Sequence, residues 1–202
     1  MGHRDPDDGE TREQTTALLR RARDGEREAL DAVYSRCAGR LLALIRLRMG
    51  PELRSRMESR DLLQASLLKS FERIDQFERE GSLSLMAWLA RIAENELRDR
   101  VEFHRRAKRD ARADVAIDDE RHPLAARMRS ALSQVILDER ARALEGALEA
   151  LAPQHREVIV LRKLEELSWA EVAARMDKTE DACRMLLARA MSALTREMHG
   201  GD

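Results

Sequence analysis

Apolar residues recur at the period of an α-helix in each long segment of this chain. The spacing repeats i, i+4, i+7 or i+8, and i+11, whereas a half-buried strand would alternate apolar and polar residues. Aromatic residues make up only 3% of the sequence, and Ala, Leu, Arg and Glu dominate it, which favours helices over strands. The sequence therefore predicts an all-α fold. The three clearest stripes are Leu63, Leu67, Phe71 and Ile74; Leu85, Leu89, Ile92, Ala93 and Leu97; and Cys183, Leu187, Ala190 and Leu194.

The chain changes character between the second and third stripes. A dense positive stretch at 98–112 gives way to an acidic patch at 114–120, and Pro123 follows. Such a shift in composition is typical of a linker, with partial helix expected in its second half. We predict two small helical domains joined by a flexible linker. Their bounds are a tail at 1–14, a first domain at 15–106, a linker at 107–137 and a second domain at 138–199.

Several classes of protein are disfavoured by composition. The 37 Lys and Arg residues balance 38 Asp and Glu residues, so a uniformly basic coat for nucleic acid is absent, although local clusters remain. Cys37 and Cys183 form no CxxC pair, which argues against a disulfide framework or zinc site and fits a reducing cytosol. The N-terminal segment does not resemble a signal peptide, and no apolar run approaches the roughly 18 residues of a membrane span. We expect a cytoplasmic protein without a membrane partner.

An enzyme is also disfavoured. The sequence contains no P-loop, no G-x-G-x-x-G, no H-E-x-x-H and no G-x-S-x-G motif. Its five histidines are scattered and show no metal-ligand spacing, and His155 is expected at the surface. We therefore expect no catalytic residues, no cofactor and no metal site.

The C-terminal segment predicts a helix-turn-helix. Ser168 and Glu171 form a capping box, residues 176–179 form the turn, and Thr179 caps the second helix. Trp169 is expected on the inward face of the first helix. The second helix of such units lies in the major groove, but here Arg184 is the only cation on its groove face and Asp181 is unfavourable beside phosphate. The candidate DNA-contacting residues are Lys178, Thr179, Asp181, Arg184, Met185, Ala188 and Arg189.

The N-terminal half contains a second candidate DNA site. A protein that opens a duplex needs a pocket for a flipped base, a stacking platform and cations along the displaced strand. A polar loop at 77–84 is a candidate pocket, and the helix that follows presents arginines. For Trp88 a core position is favoured, whereas the arginines fit a solvated helix face equally well. The candidates are Phe77, Arg79, Ser82, Trp88, Arg91, Asn95, Arg98, Arg105 and Arg106.

The helix predicted to begin at Ser59 or Asp61 has a face opposite its apolar stripe. This face presents Asp61, Gln64, Ala65 and Leu68. An exposed leucine among polar residues suggests a surface for a partner.

These segments together resemble a known family. The segment DLLQASLLKSFERIDQF at 61–77, followed by the spaced W-L-x-x-I-A-x-N of 88–95, resembles domain 2 of extracytoplasmic-function (ECF) sigma factors. The segment ALEALAPQHREVIVLRKLEELSWAEVAARM at 147–176 resembles their domain 4. The resemblance covers about 15–106 and 138–197, with both motif blocks in the family's order.

The resemblance implies a transcription initiation factor that binds RNA polymerase core enzyme and directs it to promoter DNA. Residues Asp61, Leu62, Gln64 and Leu68 would dock on the clamp helices of the largest subunit. Loop 77–84 and the next helix would recognise and melt the minus-ten element. Domain 4 would bind the polymerase flap and read the minus-thirty-five element, while the linker would run toward the RNA exit path. Control by an anti-sigma factor is common in the family.

The sequence departs from the family pattern at three places. Ala65 replaces a frequent acidic residue, and Asp177 replaces a frequent glycine in the turn. Residues 182–186 read Ala-Cys-Arg-Met-Leu where Thr-Val-Lys-Ser-Arg is frequent, so a cation and two hydroxyls are missing. Two alternatives therefore stay open: a helix-turn-helix regulator that binds duplex DNA without polymerase, and a degenerate sigma relative that acts as an interaction protein.

Overall fold

The structure, a computed structural model, describes residues 16–22, 24–79, 84–109 and 139–199. These residues form helices and short connections, with no β-strand among them, so the all-α prediction is confirmed. The chain divides into two compact units. One contains the described residues up to 109 and the other contains 139–199. Most of the predicted linker, from 110 to 137, lies outside the described residues.

The first unit is built around three long helices. After a helical stretch at 16–22, the helices are α1 (Arg27–Arg48), α2 (Pro51–Arg54), α3 (Ser59–Glu72), α4 (Ile74–Arg79) and α5 (Leu85–Arg109). Helix α3 packs against both α1 and α5, and α1 also packs against α5. Helix α5 runs three residues beyond the predicted end of its domain.

Helix α1 ends just before Gly50 and Pro51. The backbone of Gly50 is extended, with φ −70°. Met49 is already extended and its N–H still donates to the Ile45 carbonyl. Pro51 then occupies the first turn of α2, where its missing N–H removes no helical hydrogen bond.

An ion pair between Arg21 and Glu26 joins the stretch at 16–22 to the start of α1. The hydrogen bond from Arg21 lowers the pKa of the Glu26 carboxyl, and the same contact raises the pKa of Arg21. The contact stabilises the fold at neutral pH, and its contribution is lost as the pH falls through the lowered pKa of Glu26. Both groups are exposed, so the contribution is small.

The second unit contains the predicted helix-turn-helix. Its elements are α6 (Glu139–Ala150), α7 (Pro153–Ile159), a π-helical turn (Val160–Leu164), α8 (Trp169–Met176) and α9 (Glu180–His199). The longest helix, α9, packs against α6, α7 and α8. The four residues of the predicted α9 stripe, from Cys183 to Leu194, are all buried.

Local capping fixes both helices of the motif. The Glu171 N–H donates to Ser168 Oγ at 3.3 Å, and the Ser168 N–H donates to the Glu171 carboxylate at 2.8 Å. The Ala182 N–H donates to Thr179 Oγ1 at 3.2 Å at the start of α9. The capping box and the threonine cap are therefore confirmed. Asp177 ends α8 in the left-handed region, with φ 52° and ψ 51°.

Replacing Asp177 with glycine is expected to stabilise the second unit. A residue with a Cβ loses about 1–2 kcal/mol in the left-handed region, and Asp loses less than most. Glycine adopts this conformation without steric strain, although it loses more conformational entropy on folding. We expect a net gain of about 0.5 kcal/mol, a rise of a few degrees in the unfolding midpoint of so small a unit. Thermal unfolding of the full chain measures it, with Asp177→Ala as the matched control. A midpoint for Asp177→Gly at or below that of Asp177→Ala would contradict the conformational explanation.

Candidate nucleic-acid and polymerase interface

One side of α5 is a cationic surface. Its other side carries buried residues from Met86 to Leu97 and faces the core. The exposed side presents Arg91, Asn95, Arg98, Arg105 and Arg106, as the sequence predicts. Arg91, Arg98 and Arg105 follow one another at intervals of seven residues, which is close to two helical turns. They therefore form one line along the helix with a rise of about 10 Å between neighbours.

The arginines of this surface differ in their partners. Arg106 forms an ion pair with Glu102. The Arg98 guanidinium donates to the neutral Asn95 Oδ1 at 3.3 Å. Within the described ranges, neither Arg98 nor Arg105 takes part in an ion pair. No ion pair among these residues therefore neutralises either charge, and both side chains are exposed to an approaching anion.

The aromatic part of the predicted melting site lies in the core. Phe77 is fully buried and Trp88 is 2% exposed, with ring centroids 5.1 Å apart and planes at 47°. The core position favoured for Trp88 is confirmed. The prediction that Phe77 opens an exposed loop is wrong, because α4 continues through it to Arg79 and its ring is covered. Ser82 and the side chain of Arg79 lie outside the described residues.

The predicted docking face of α3 is smaller than expected. Asp61 is exposed in the first turn and Gln64 is half-buried. Leu62 is fully buried, and Leu68 is only 7% exposed, so the predicted exposure of Leu68 is wrong. The reason is that α3 packs against two helices, α1 and α5, and needs apolar side chains on more than one stripe. Asp61 and Gln64 remain as accessible candidates.

Two further residues of α3 also differ from the prediction. Ala65 is buried although it was placed on the outer face. Phe71 was assigned to the buried stripe and is half-buried. The helix is thus covered around most of its circumference rather than along one stripe.

An ion pair that sequence reasoning missed joins α3 to α5. Lys69 binds Glu96, whose side chain is 6% exposed, whereas that of Lys69 is 37% exposed. The only signal in the sequence is a glutamate between Ile92, Ala93 and Leu97, in the middle of an apolar stripe. Its partner lies 27 residues away, so local spacing gives no indication of it.

The predicted groove face of α9 is exposed throughout. Lys178 and Thr179 lie in the turn, and the helix then presents Asp181, Arg184, Met185, Ala188 and Arg189 to the surface. Met185 is 59% exposed. The sequence therefore placed all seven candidate residues on an accessible surface.

Arg184 is more constrained than the sequence suggested. Its Nη1 donates to Asp181 Oδ1 and its Nη2 donates to Glu180 Oε2, both at 2.7 Å. Its guanidinium carbon also lies over the Trp169 indole, 5.2 Å from the ring centroid. Arg162 lies over the same indole at 5.1 Å. Trp169 was expected to face inward and is half-buried, because its ring supports these two cations.

The part of the chain that the structure describes contains no group of three His, Cys, Asp or Glu residues arranged to hold a metal ion. None of its helices is both long and apolar enough to cross a membrane.

Two family models match the chain in the same order as its two units. The family described as sigma-70 region 2 matches residues 33–109. The family described as sigma-70 region 4 matches residues 141–194. The first match contains α3 and α5, and the second contains α8, the turn and α9 as far as Leu194.

Two sigma factors match this chain in sequence over most of its length. RNA polymerase sigma factor CarQ of Myxococcus xanthus is 30% identical over 185 residues, which cover 90% of this chain and 95% of CarQ. The ECF RNA polymerase sigma factor BldN of Streptomyces coelicolor is 29% identical over 196 residues, which cover 96% of this chain and 69% of BldN. The solved RsbN–BldN complex matches with 28% identity, coverage of 88% and 97%, and a TM-score of 0.32. The chain therefore belongs to the ECF sigma factors, transcription initiation factors that direct RNA polymerase to promoters.

Proposed function

We propose that the two units divide the work of promoter recognition. The first, assigned to 15–106 and continued by α5 to Arg109, docks on polymerase core enzyme and binds the displaced strand at the minus-ten element. The second, assigned to 138–199, binds the flap and the minus-thirty-five element, and residues 107–137 connect the two. The line of exposed arginines on α5 is the observation that carries this proposal.

The exposed arginines of α5 can bind a displaced DNA single strand through its phosphates. Opening a duplex costs a few kcal/mol for each base that leaves the stack. Cations that follow the backbone offset part of this cost by neutralising phosphates and releasing their counterions. Because Phe77 and Trp88 are buried, we assign the strand contact to the cationic face of α5 and not to this aromatic pair.

The second unit is proposed to read duplex DNA through the first half of α9. Lys178 and Arg189 flank this surface and are assigned to phosphates, which set the docking position. Arg184 lies between them and is assigned to a base edge. The protein itself is proposed to perform no chemistry and to act in the cytoplasm, where polymerase and promoters are found. As a member of this family, the chain is also a candidate target of an anti-sigma factor.

The test of this function is binding and transcription with purified components. We expect the full chain to retain RNA polymerase core enzyme in a pull-down and to start abortive transcription from a subset of a promoter pool. Core binding without transcription from any promoter would favour an interaction protein. Binding to duplex DNA without binding to core would favour an ordinary helix-turn-helix regulator.

Replacing Asp61 with alanine is expected to weaken core binding about tenfold, on the order of one charge-assisted hydrogen bond at an interface. Asp61 is exposed in the first turn of α3, so the fold should be preserved. Titration of labelled protein with core enzyme measures the change. The matched control is Glu52→Ala, which removes an exposed first-turn carboxylate of α2. Equal affinities for Asp61→Ala and the wild type would argue against the docking role.

A further inference from the structure

We propose that Trp169 positions Arg184 so that this arginine reads a guanine in the minus-thirty-five element. The inference rests on the proposed function of the second unit and names its specificity-determining contact. Trp169 lies at the first position of α8 and Arg184 in the second turn of α9. The stack of Arg184 on the Trp169 indole thus joins the two helices of the motif at the surface that faces DNA.

The Trp169 indole, on which Arg184 stacks, is held in place by contacts of its own. The capping box of Ser168 and Glu171 sets the first turn of α8, and so the backbone that carries the indole. Arg162 lies over the same indole, and its Nη1 donates to the Leu167 carbonyl at 3.1 Å. An arginine over an aromatic face loses much of its rotamer freedom before DNA arrives, which lowers the cost of ordering it in the complex.

The charges around Arg184 favour a base over a phosphate. Arg184, Glu180 and Asp181 together carry a formal charge of −1, and Asp181 is 92% exposed. Two carboxylates beside the guanidinium would repel a phosphate group. A base edge carries no net charge, so the repulsion there is much weaker than at a phosphate.

The hydrogen bonds of Arg184 leave donors for a base. Each Nη has two hydrogens, and donation of one to a carboxylate leaves one on each nitrogen, in addition to the Nε hydrogen. Guanine offers two acceptors, O6 and N7, that match a pair of arginine donors in the major groove. The exposed Asp181 carboxylate can accept a hydrogen bond from the amino group of the paired cytosine. A G·C pair therefore satisfies both members of the Arg184–Asp181 pair.

The experiment is transcription by the full-length protein with core enzyme on promoters randomised across the minus-thirty-five region. Sequencing of the transcribed templates gives the preference at each position. We expect the wild type to enrich guanine at one position and Arg184→Ala to remove that preference. Trp169→Leu should reduce this guanine preference about tenfold, which lies within the discrimination of one bidentate arginine contact. The preferences at the other promoter positions should stay unchanged. Trp169→Phe keeps a ring and should retain most of the preference.

Two comparisons separate positioning from folding. Lys178→Ala should lower transcription evenly across all sequences, as loss of a phosphate contact does. Trp169→Leu should keep the unfolding midpoint of Trp169→Phe, because a stack at the surface contributes little to stability.

Four outcomes would overturn the inference. The first is a Trp169→Leu protein that keeps the full guanine preference. The second is a Trp169→Leu protein that loses selectivity at every position and unfolds at a lower midpoint. Guanine enrichment that survives Arg184→Ala would also exclude the assigned contact. A wild type with no preference anywhere in the randomised region would also refute the proposed function of the second unit. That result differs from failure of the Trp169–Arg184 inference alone, because the unsubstituted protein itself then lacks selectivity.

Discussion

A variant in which Arg98 and Arg105 are both glutamate is expected to bind core enzyme normally and to form open promoter complexes at least 100-fold less. Both side chains are exposed on the same face of α5 and lie about 10 Å apart along it. The double reversal changes the local charge by four, so that two attractive contacts with phosphate become repulsive ones. Arg106 cannot compensate fully, because it is already paired with Glu102.

The fold should survive this change. Neither arginine forms an ion pair with a described residue, and the apolar face of α5 is untouched. Reactivity of unpaired thymines in promoter DNA measures opening, and a core pull-down measures docking. The matched control is the double reversal of Arg36 and Arg56, which are exposed elsewhere in the first unit. Open complexes at the wild-type level in the α5 variant would remove the strand-binding role from this face.

The elements of this fold that depend on local rules could be predicted from the sequence. The four-residue stripe of α9 is buried as its spacing requires, because helical periodicity determines which side chains share a face. The capping box at Ser168 and Glu171 has the predicted hydrogen bonds, because a cap needs only residues three positions apart. Asp177 adopts the left-handed conformation that the turn demands.

Exposure could not be predicted where it depends on a third helix. Leu68 lies outside the clearest stripe of α3, yet it is covered because that helix packs against both α1 and α5. Phe77 was placed in a loop because polar residues follow it. Its ring instead pairs with Trp88, eleven positions further along the chain and in another helix. Periodicity within one helix contains no information about such contacts.

The ion pairs of the groove face follow a local rule that the sequence analysis did not apply. Glu180 and Asp181 lie four and three residues before Arg184 and both pair with it. Residues at these spacings are neighbours on a helix and form ion pairs. The stack on Trp169, in contrast, crosses from one helix to another and required the structure.

Replacing Lys69 with methionine is expected to lower the free energy of unfolding of the first unit by about 2–3 kcal/mol. The change keeps the length of the side chain and removes its charge, which leaves the Glu96 carboxylate almost fully buried without its cation. Breaking a buried pair in this way costs about 3–5 kcal/mol, and the partial exposure of Lys69 reduces the expected loss. Urea denaturation of the full chain, followed by circular dichroism, measures it.

The double variant Lys69→Met/Glu96→Met distinguishes loss of an attraction from burial of an unpaired charge. If the cost arises from the stranded carboxylate, removing that carboxylate should restore most of the stability, because a buried ion pair contributes little more than an apolar pair of similar size. If the attraction itself stabilised the unit, the double variant would be at least as unstable as the single one. A Lys69→Met protein as stable as the wild type would contradict both accounts, since water would then have to reach Glu96. We expect recovery, because Glu96 is buried in the same part of α5 as Ile92, Ala93 and Leu97, and a methionine side chain adapts to such apolar surroundings.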